Sequence, residues 1–240
     1  MNLEHLKKTN PWLSLTKDNI ALCDEEFFRQ YGGVDKYCEL IHKKDKNVEI
    51  TFSCVPEPFS GNPQSKVFCL NKNPGKPDSC FFADDSFAEA SFKNLRLEQD
   101  TCFWAENILN RCGKQHDGVK WLKVRTDSLE KILDAHPDIF FIEYFPYHSS
   151  KGFAFPRHLP SYEFSNCLIK EAMKEEKLII IMREKKEWLD RIDDLSDYQH
   201  LYTLKCAQGG YLTPKNIVRI DKKGKEHYLS EKAIKEYFEI

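Results

Sequence analysis

The chain has 240 residues, 41% of them hydrophobic and 31% charged, with a formal net charge of −2. That length suits one generous domain, residues 1–240, and the apolar fraction is enough for a core, which excludes global disorder. The longest aliphatic run, Leu178-Ile179-Ile180-Ile181-Met182, is far too short to span a membrane, and the near-neutral charge excludes coating of nucleic acid by bulk electrostatics, though not a small local groove.

Met1-Asn2-Leu3-Glu4-His5 lacks the apolar stretch of a secretion signal, so a cytoplasmic location is expected. The nine cysteines are odd in number and none are spaced C-x-x-C. Reduced, packed thiols are therefore expected, not a disulfide framework or a zinc knuckle, and neither a metal nor another cofactor is called for.

In chain order, residues 1–50 read as a helical front layer. Apolar positions fall at helical spacing over 24–30 and 34–41, parted by Gly32-Gly33. Val48-Glu49-Ile50-Thr51-Phe52 alternates like a strand and opens the α/β part, 51–240. Pro56-Glu57-Pro58-Phe59-Ser60-Gly61-Asn62-Pro63 is too rich in Pro and Gly for helix or strand and predicts an ordered loop or linker. Four short apolar runs then follow, at 66–70, 138–142, 178–182 and 201–206. Helical stretches lie near 126–135, 161–176 and 183–191, and Thr213-Pro214 looks like a further helix start. Short buried strands alternating with helices predict a three-layer α/β/α fold around a mostly parallel four-stranded sheet. Ligands of such sheets bind at the C-terminal ends of the strands.

Four loops sit at those ends. After the first strand comes Leu70-Asn71-Lys72-Asn73-Pro74-Gly75. Pro fixes one φ and Gly permits a left-handed one, so the loop can turn sharply and present the Asn71 and Asn73 amides, or be an ordinary strand–helix turn. The second loop, Glu143-Tyr144-Phe145-Pro146-Tyr147-His148-Ser149, sets a carboxylate and a histidine among aromatics. Such rings stack on bases, and Glu or His can read a base edge or move a proton; equally, the rings could be core and His148 a surface cap. The third offers Arg183, able to pair with a phosphate or with Glu143, or to belong to a solvated charged helix. The fourth is Gln208-Gly209-Gly210-Tyr211, where Gly-Gly allows close approach to a ligand or a flexible connection. The stretch 219–225 reads as a hairpin or turn. Walker, dinucleotide-binding, nucleophile-elbow and zinc-hydrolase motifs are absent from the sequence.

The segment Leu70-Asn71-Lys72-Asn73-Pro74-Gly75 resembles the first motif of the uracil-DNA glycosylase superfamily, nearest its single-strand-selective monofunctional branch. Residues 56–63, the Phe-Pro-Tyr-His-Ser loop at 145–149 and Leu212-Thr213-Pro214-Lys215-Asn216 are similar to segments of a bacterial glycosylase-like branch. The resemblance spans about 50–220 and implies a DNA glycosylase-like protein that binds a base, in single-stranded DNA, flipped from a duplex or in a nucleotide, and hydrolyses an N-glycosidic bond. It implies that Asn73 positions the attacking water, that Phe81 or Phe82 lies near the place where a ring stacks on the base, and that Glu143 occupies the position of the family's base-reading Asn. An ionised Glu only accepts hydrogen bonds, so it needs a donor-rich edge or protonation to read a base. The family's last motif supplies a His after the fourth strand; here the loop has Gln208-Gly209-Gly210.

The expected site therefore comprises Asn73, Glu143 and His148 as catalytic residues. Asn71, Gly75, Phe81, Phe82, Tyr147, Arg183 and Gln208 are expected to bind the ligand. The competing readings are a catalytically silent nucleic-acid, nucleotide or partner-binding module on the same fold, and a small-molecule hydrolase with a Glu143–His148 acid–base pair.

Overall fold

The computed structural model describes residues 3–77, 85–106, 108 and 117–239. Among the described residues the helices are α1 Leu3–Thr9, α2 Glu25–Arg29, α3 Val34–Lys44, α4 Asp85–Leu95, α5 Asp117–Leu133, α6 Tyr162–Lys174, α7 Lys185–Arg191 and α8 Glu231–Tyr237. The strands among the described residues are β1 Ile50–Thr51, β2 Phe59–Ser60, β3 Val67–Leu70, β4 Ile139–Ile142, β5 His148–Ser149, β6 Leu178–Ile181, β7 Leu201–Leu204, β8 Ile217–Ile220 and β9 Glu226–Tyr228.

Strands β3, β4 and β6 are continuous apolar runs, buried at every position. Such runs suit parallel strands covered on both faces. The sheet order is β2-β4-β3-β6-β7-β8-β9, with β4, β3, β6 and β7 parallel and in register, Val67 facing Ile139 on one side and Leu178 on the other. Alternation along each strand divides the core. Phe68, Leu70, Phe140, Ile142, Ile179 and Ile181 pack with α6, α7 and the N-terminal layer. Val67, Cys69, Ile139, Phe141 and Ile180 pack with α5 and α8. The chain is thus a mixed α/β structure of helix, sheet and helix layers.

Several expectations need correction. The sheet has seven strands, because antiparallel β2, β8 and β9 extend the parallel four. Part of the Pro-rich stretch 56–63 is strand β2. An edge position of two residues tolerates the flanking prolines, which have no N–H to lend a ladder. Gly61 follows it with φ +108°, where a Cβ would lie 2.3 Å from the Ile139 carbonyl oxygen. Thr213-Pro214 makes a single turn, with Asn216 and Ile217 N–H both on the Thr213 carbonyl, before Ile217-Val218 pairs as strand with β7. Helix α5 starts at Asp117, well before the expected 126. Gly75 does not adopt a left-handed φ. All seven described cysteines are free thiols. No described helix is long and apolar enough to cross a membrane.

From β3 the chain passes to β4 on one side, then crosses back to β6 on the other. Where the crossovers diverge, the loops leaving the strand ends open a crevice.

Candidate functional site

That crevice is a cavity of about 700 Å³. The size falls within the roughly 300–1,000 Å³ of small-molecule sites. Its floor is made by the residues that end the parallel strands. Asn71 follows β3, Glu143 follows β4 and Arg183 lies just past β6, and all three line it, as do Asn73, Gly75 and His148. Backbone hydrogen bonds stitch these loops together: Asn71 N–H donates to the Ile142 carbonyl, Phe145 N–H to Lys72 and Glu143 N–H to Pro58. The walls are aromatic. Phe59, Phe103, Trp104, Trp121 and Phe141 line the space. Trp121 stands edge-on to Phe141, with centroids 5.9 Å apart, and the Trp104 indole N–H donates to Ser60 Oγ at 2.9 Å.

Glu143 is a strongly perturbed acid in the cavity. The Asn71 amide donates to its Oε1 at 3.0 Å, while Oε2 lies out of solvent with no hydrogen-bond partner among the described residues. Burial pushes this carboxyl up to about 8; the Asn71 hydrogen bond opposes the rise and the nearby Glu57 charge adds to it. At neutral pH the group is mostly a neutral acid. It then has an O–H to donate as well as an oxygen that accepts.

The Asn73 amide nitrogen donates to Ser149 Oγ at 2.8 Å, to the Pro74 carbonyl at 2.8 Å and to the Ser149 carbonyl at 3.3 Å. That orientation leaves Oδ1 as the atom able to accept from a water or ligand. His148 is held differently. Its Nδ1 lies 2.8 Å from the Gly75 carbonyl oxygen and its Nε2 lies 3.1 Å from that of Val55. The carboxylate within ion-pair distance of Nε2 is Glu57, at 3.8 Å. The imidazole therefore clamps the Asn71–Gly75 loop to the segment before β2, and its geometry does not make an acid–base pair with Glu143.

Two expected ligand-binding residues stand elsewhere. Tyr147 points away, into the N-terminal layer, where its hydroxyl donates to Asp24 at 2.7 Å and its ring packs against Trp12, Phe28 and Phe52. Strand-like alternation from Tyr147 to His148 sends the two side chains opposite ways. The Gln208 side chain is exposed and does not line the cavity; its carbonyl accepts from Arg183 Nη2 at 2.6 Å. Arg183 makes no ion pair with Glu143. Phe81 and Phe82 lie outside the described residues.

Sequence reasoning missed the aromatic walls, as well as Glu57 and Glu106. Glu106 pairs with Lys123 at 2.5 Å, yet its Oε2 is out of solvent without a partner among the described residues. Trp104 and Glu106 belong to no motif, and Trp121 falls in the part of α5 whose helical pattern was not read. Among the described residues no cluster of His, Cys, Asp and Glu could hold a metal ion. No protein-family model, curated protein or solved structure matches the chain.

Proposed function

We propose that the protein is a uracil-DNA glycosylase-like enzyme that takes a single base, extruded from a DNA strand, into this cavity and hydrolyses its N-glycosidic bond. The observation that carries the reading is Glu143: a half-buried acid at a strand end, one oxygen anchored by Asn71 and the other out of solvent and bare, within aromatic walls. A neutral acid offers the donor that an ionised one lacks. Glu143 can therefore donate to a base carbonyl and stabilise negative charge developing on that oxygen as the base departs. The indole and phenyl faces supply stacking surface for a base. Asn73, its amide nitrogen already committed, turns Oδ1 toward the water that attacks the sugar carbon.

The test is base release from uracil-containing oligonucleotides, single- and double-stranded. Release by the wild type should fall by about 10² or more in Asn73→Ala, the scale expected for losing an orienting group. Absence of release from uracil and from other modified bases would overturn the enzymatic reading. A second reading, a catalytically silent nucleotide- or strand-binding module on the same fold, is favoured by one feature. The Gln208–Gly210 loop puts no histidine beside the departing base. Tight binding of the same oligonucleotides without turnover would select it.

A further inference from the structure

The cations around the cavity fall into two groups. Four lysines have a carboxylate: Lys72 with Glu184 at 2.9 Å, Lys76 with Glu49 at 2.5 Å, Lys151 with Asp45 at 2.8 Å and Lys123 with Glu106 at 2.5 Å. Two arginines, Arg183 and Arg125, have none among the described residues. Arg183 lines the cavity and donates only to a backbone carbonyl, that of Gln208. Arg125 sits over the cavity-lining Trp121, its guanidinium carbon 4.7 Å from the ring centre. Its Nη1 reaches the Trp121 carbonyl at 3.4 Å, and its Nε is out of solvent with no partner among the described residues.

The loop after β7 brings the two arginines together. Arg183 holds its start at Gln208, and the Arg125 carbonyl accepts from Leu212 N–H at its end, at 2.9 Å. Between them, Gly210 has φ +67°, and a Cβ there would stand 3.3 Å from Arg125 Nε. The missing side chain leaves the guanidinium room. The two charges also feel one another: burial first, then repulsion from Arg183, lowers the proton affinity of Arg125. Two like charges that both contact one loop are relieved by an oxyanion, and planar guanidinium forks match the paired oxygens of a phosphate better than point charges do.

We infer that Arg125, Arg183 and the glycine loop at 209–210 form a phosphate site at the edge of the cavity, which engages the phosphate of the nucleotide whose base enters. The inference rests on the base-binding reading for where the base goes, and on the unpaired arginines for the phosphate.

Calorimetric titration tests it with deoxyuridine, deoxyuridine 5′-monophosphate, inorganic pyrophosphate and a trinucleotide that has central deoxyuridine and no terminal phosphate. The monophosphate or the trinucleotide should bind at least about tenfold tighter than deoxyuridine at low salt. Arg183→Gln and Arg125→Gln should remove that advantage, while Arg183→Lys and Arg125→Lys, checked by thermal melting, should keep part of it. An advantage confined to the trinucleotide assigns a strand phosphodiester; one confined to the monophosphate assigns a free nucleotide; both support the site. Equal affinities for nucleoside and phosphorylated ligands overturn it and leave the base reading standing. Pyrophosphate binding that the Gln variants abolish, with no nucleoside binding, keeps the site and overturns the base reading. A phosphate advantage that survives both Gln variants also overturns the site, and no binding of any probe overturns both proposals.

Discussion

Asp24 and Glu143 are both carboxyls withdrawn from water, on opposite sides of one loop. Asp24 is fully buried beneath the N-terminal layer and is saturated: Tyr147 Oη donates to it at 2.7 Å, Ser161 N–H at 2.8 Å and Ser161 Oγ at 2.6 Å. Glu143, four residues from Tyr147, keeps one oxygen bare. Burial raises both carboxyls, but around Asp24 the Ser161 and Tyr147 hydrogen bonds pull back. A saturated carboxyl has nothing left to offer a ligand and serves to hold elements together. A half-satisfied one costs stability and is ready for a partner. The loop 143–149 thus seals the N-terminal layer with one side and lines the cavity with the other.

The largest effect should come from the saturated side. Asp24→Ala strands the Tyr147 hydroxyl and the Ser161 N–H in the core, at a cost of about 3 kcal/mol or more. Urea denaturation should show the midpoint falling, while ligand affinity measured well below the new melting point stays unchanged. A loss under about 1 kcal/mol would mean that apolar packing alone anchors the N-terminal layer, and the contrast with Glu143 would collapse.

Glu143 should produce the next effect, read as a pH dependence. Its folded-state value, about 8, lies above the ordinary 4.5. The folded chain therefore holds this proton through a window where the unfolded chain has lost it. Glu143's contribution to stability is fully present below about 4.5, falls as pH rises toward 8, and is flat beyond. Donation to a ligand should be lost as pH passes that folded-state value, so affinity and turnover should drop about tenfold per pH unit above 8. In Glu143→Gln the amide donates at every pH. The step should vanish from both the binding profile and the stability profile, with binding at pH 9 exceeding that of the wild type. A pH step retained in Glu143→Gln would assign it to another group and leave Glu143 a structural acid.

This contrast shows where sequence was legible. The parallel strands could be read because β3, β4 and β6 are buried on both faces and so are apolar at every position. Their ends then located Asn71, Asn73, Glu143 and Arg183 without any motif. The side on which Tyr147 and His148 lie could not be read the same way. It depends on the pairing of β5 with β1, a two-residue contact between positions about 100 apart in the chain. Trp104 and Trp121 were illegible as walls, because a tryptophan facing a cavity and one facing a core look alike in sequence. Strand β2 was hidden by its prolines, which an edge position permits. The protonation of Glu143 follows from burial that only the folded chain creates.

The smallest effect tests whether the cavity side is held as loosely as the comparison implies. Ser149 Oγ accepts from the Asn73 amide at 2.8 Å and donates to the Lys151 carbonyl at 3.1 Å. Ser149→Ala removes both bonds, yet Asn73 keeps the Pro74 and Ser149 carbonyls as acceptors. The expected stability loss is about 0.5–1.5 kcal/mol, the ordinary worth of a neutral hydrogen bond. Because Oδ1 is aimed through the amide nitrogen, single-turnover release should slow a few-fold while ligand affinity holds, separating orientation from binding. If Ser149→Ala instead cost as much as Asp24→Ala, the Asn73 loop would be as structural as the N-terminal layer. The two sides of 143–149 would then differ in occupancy alone, not in how firmly they are built.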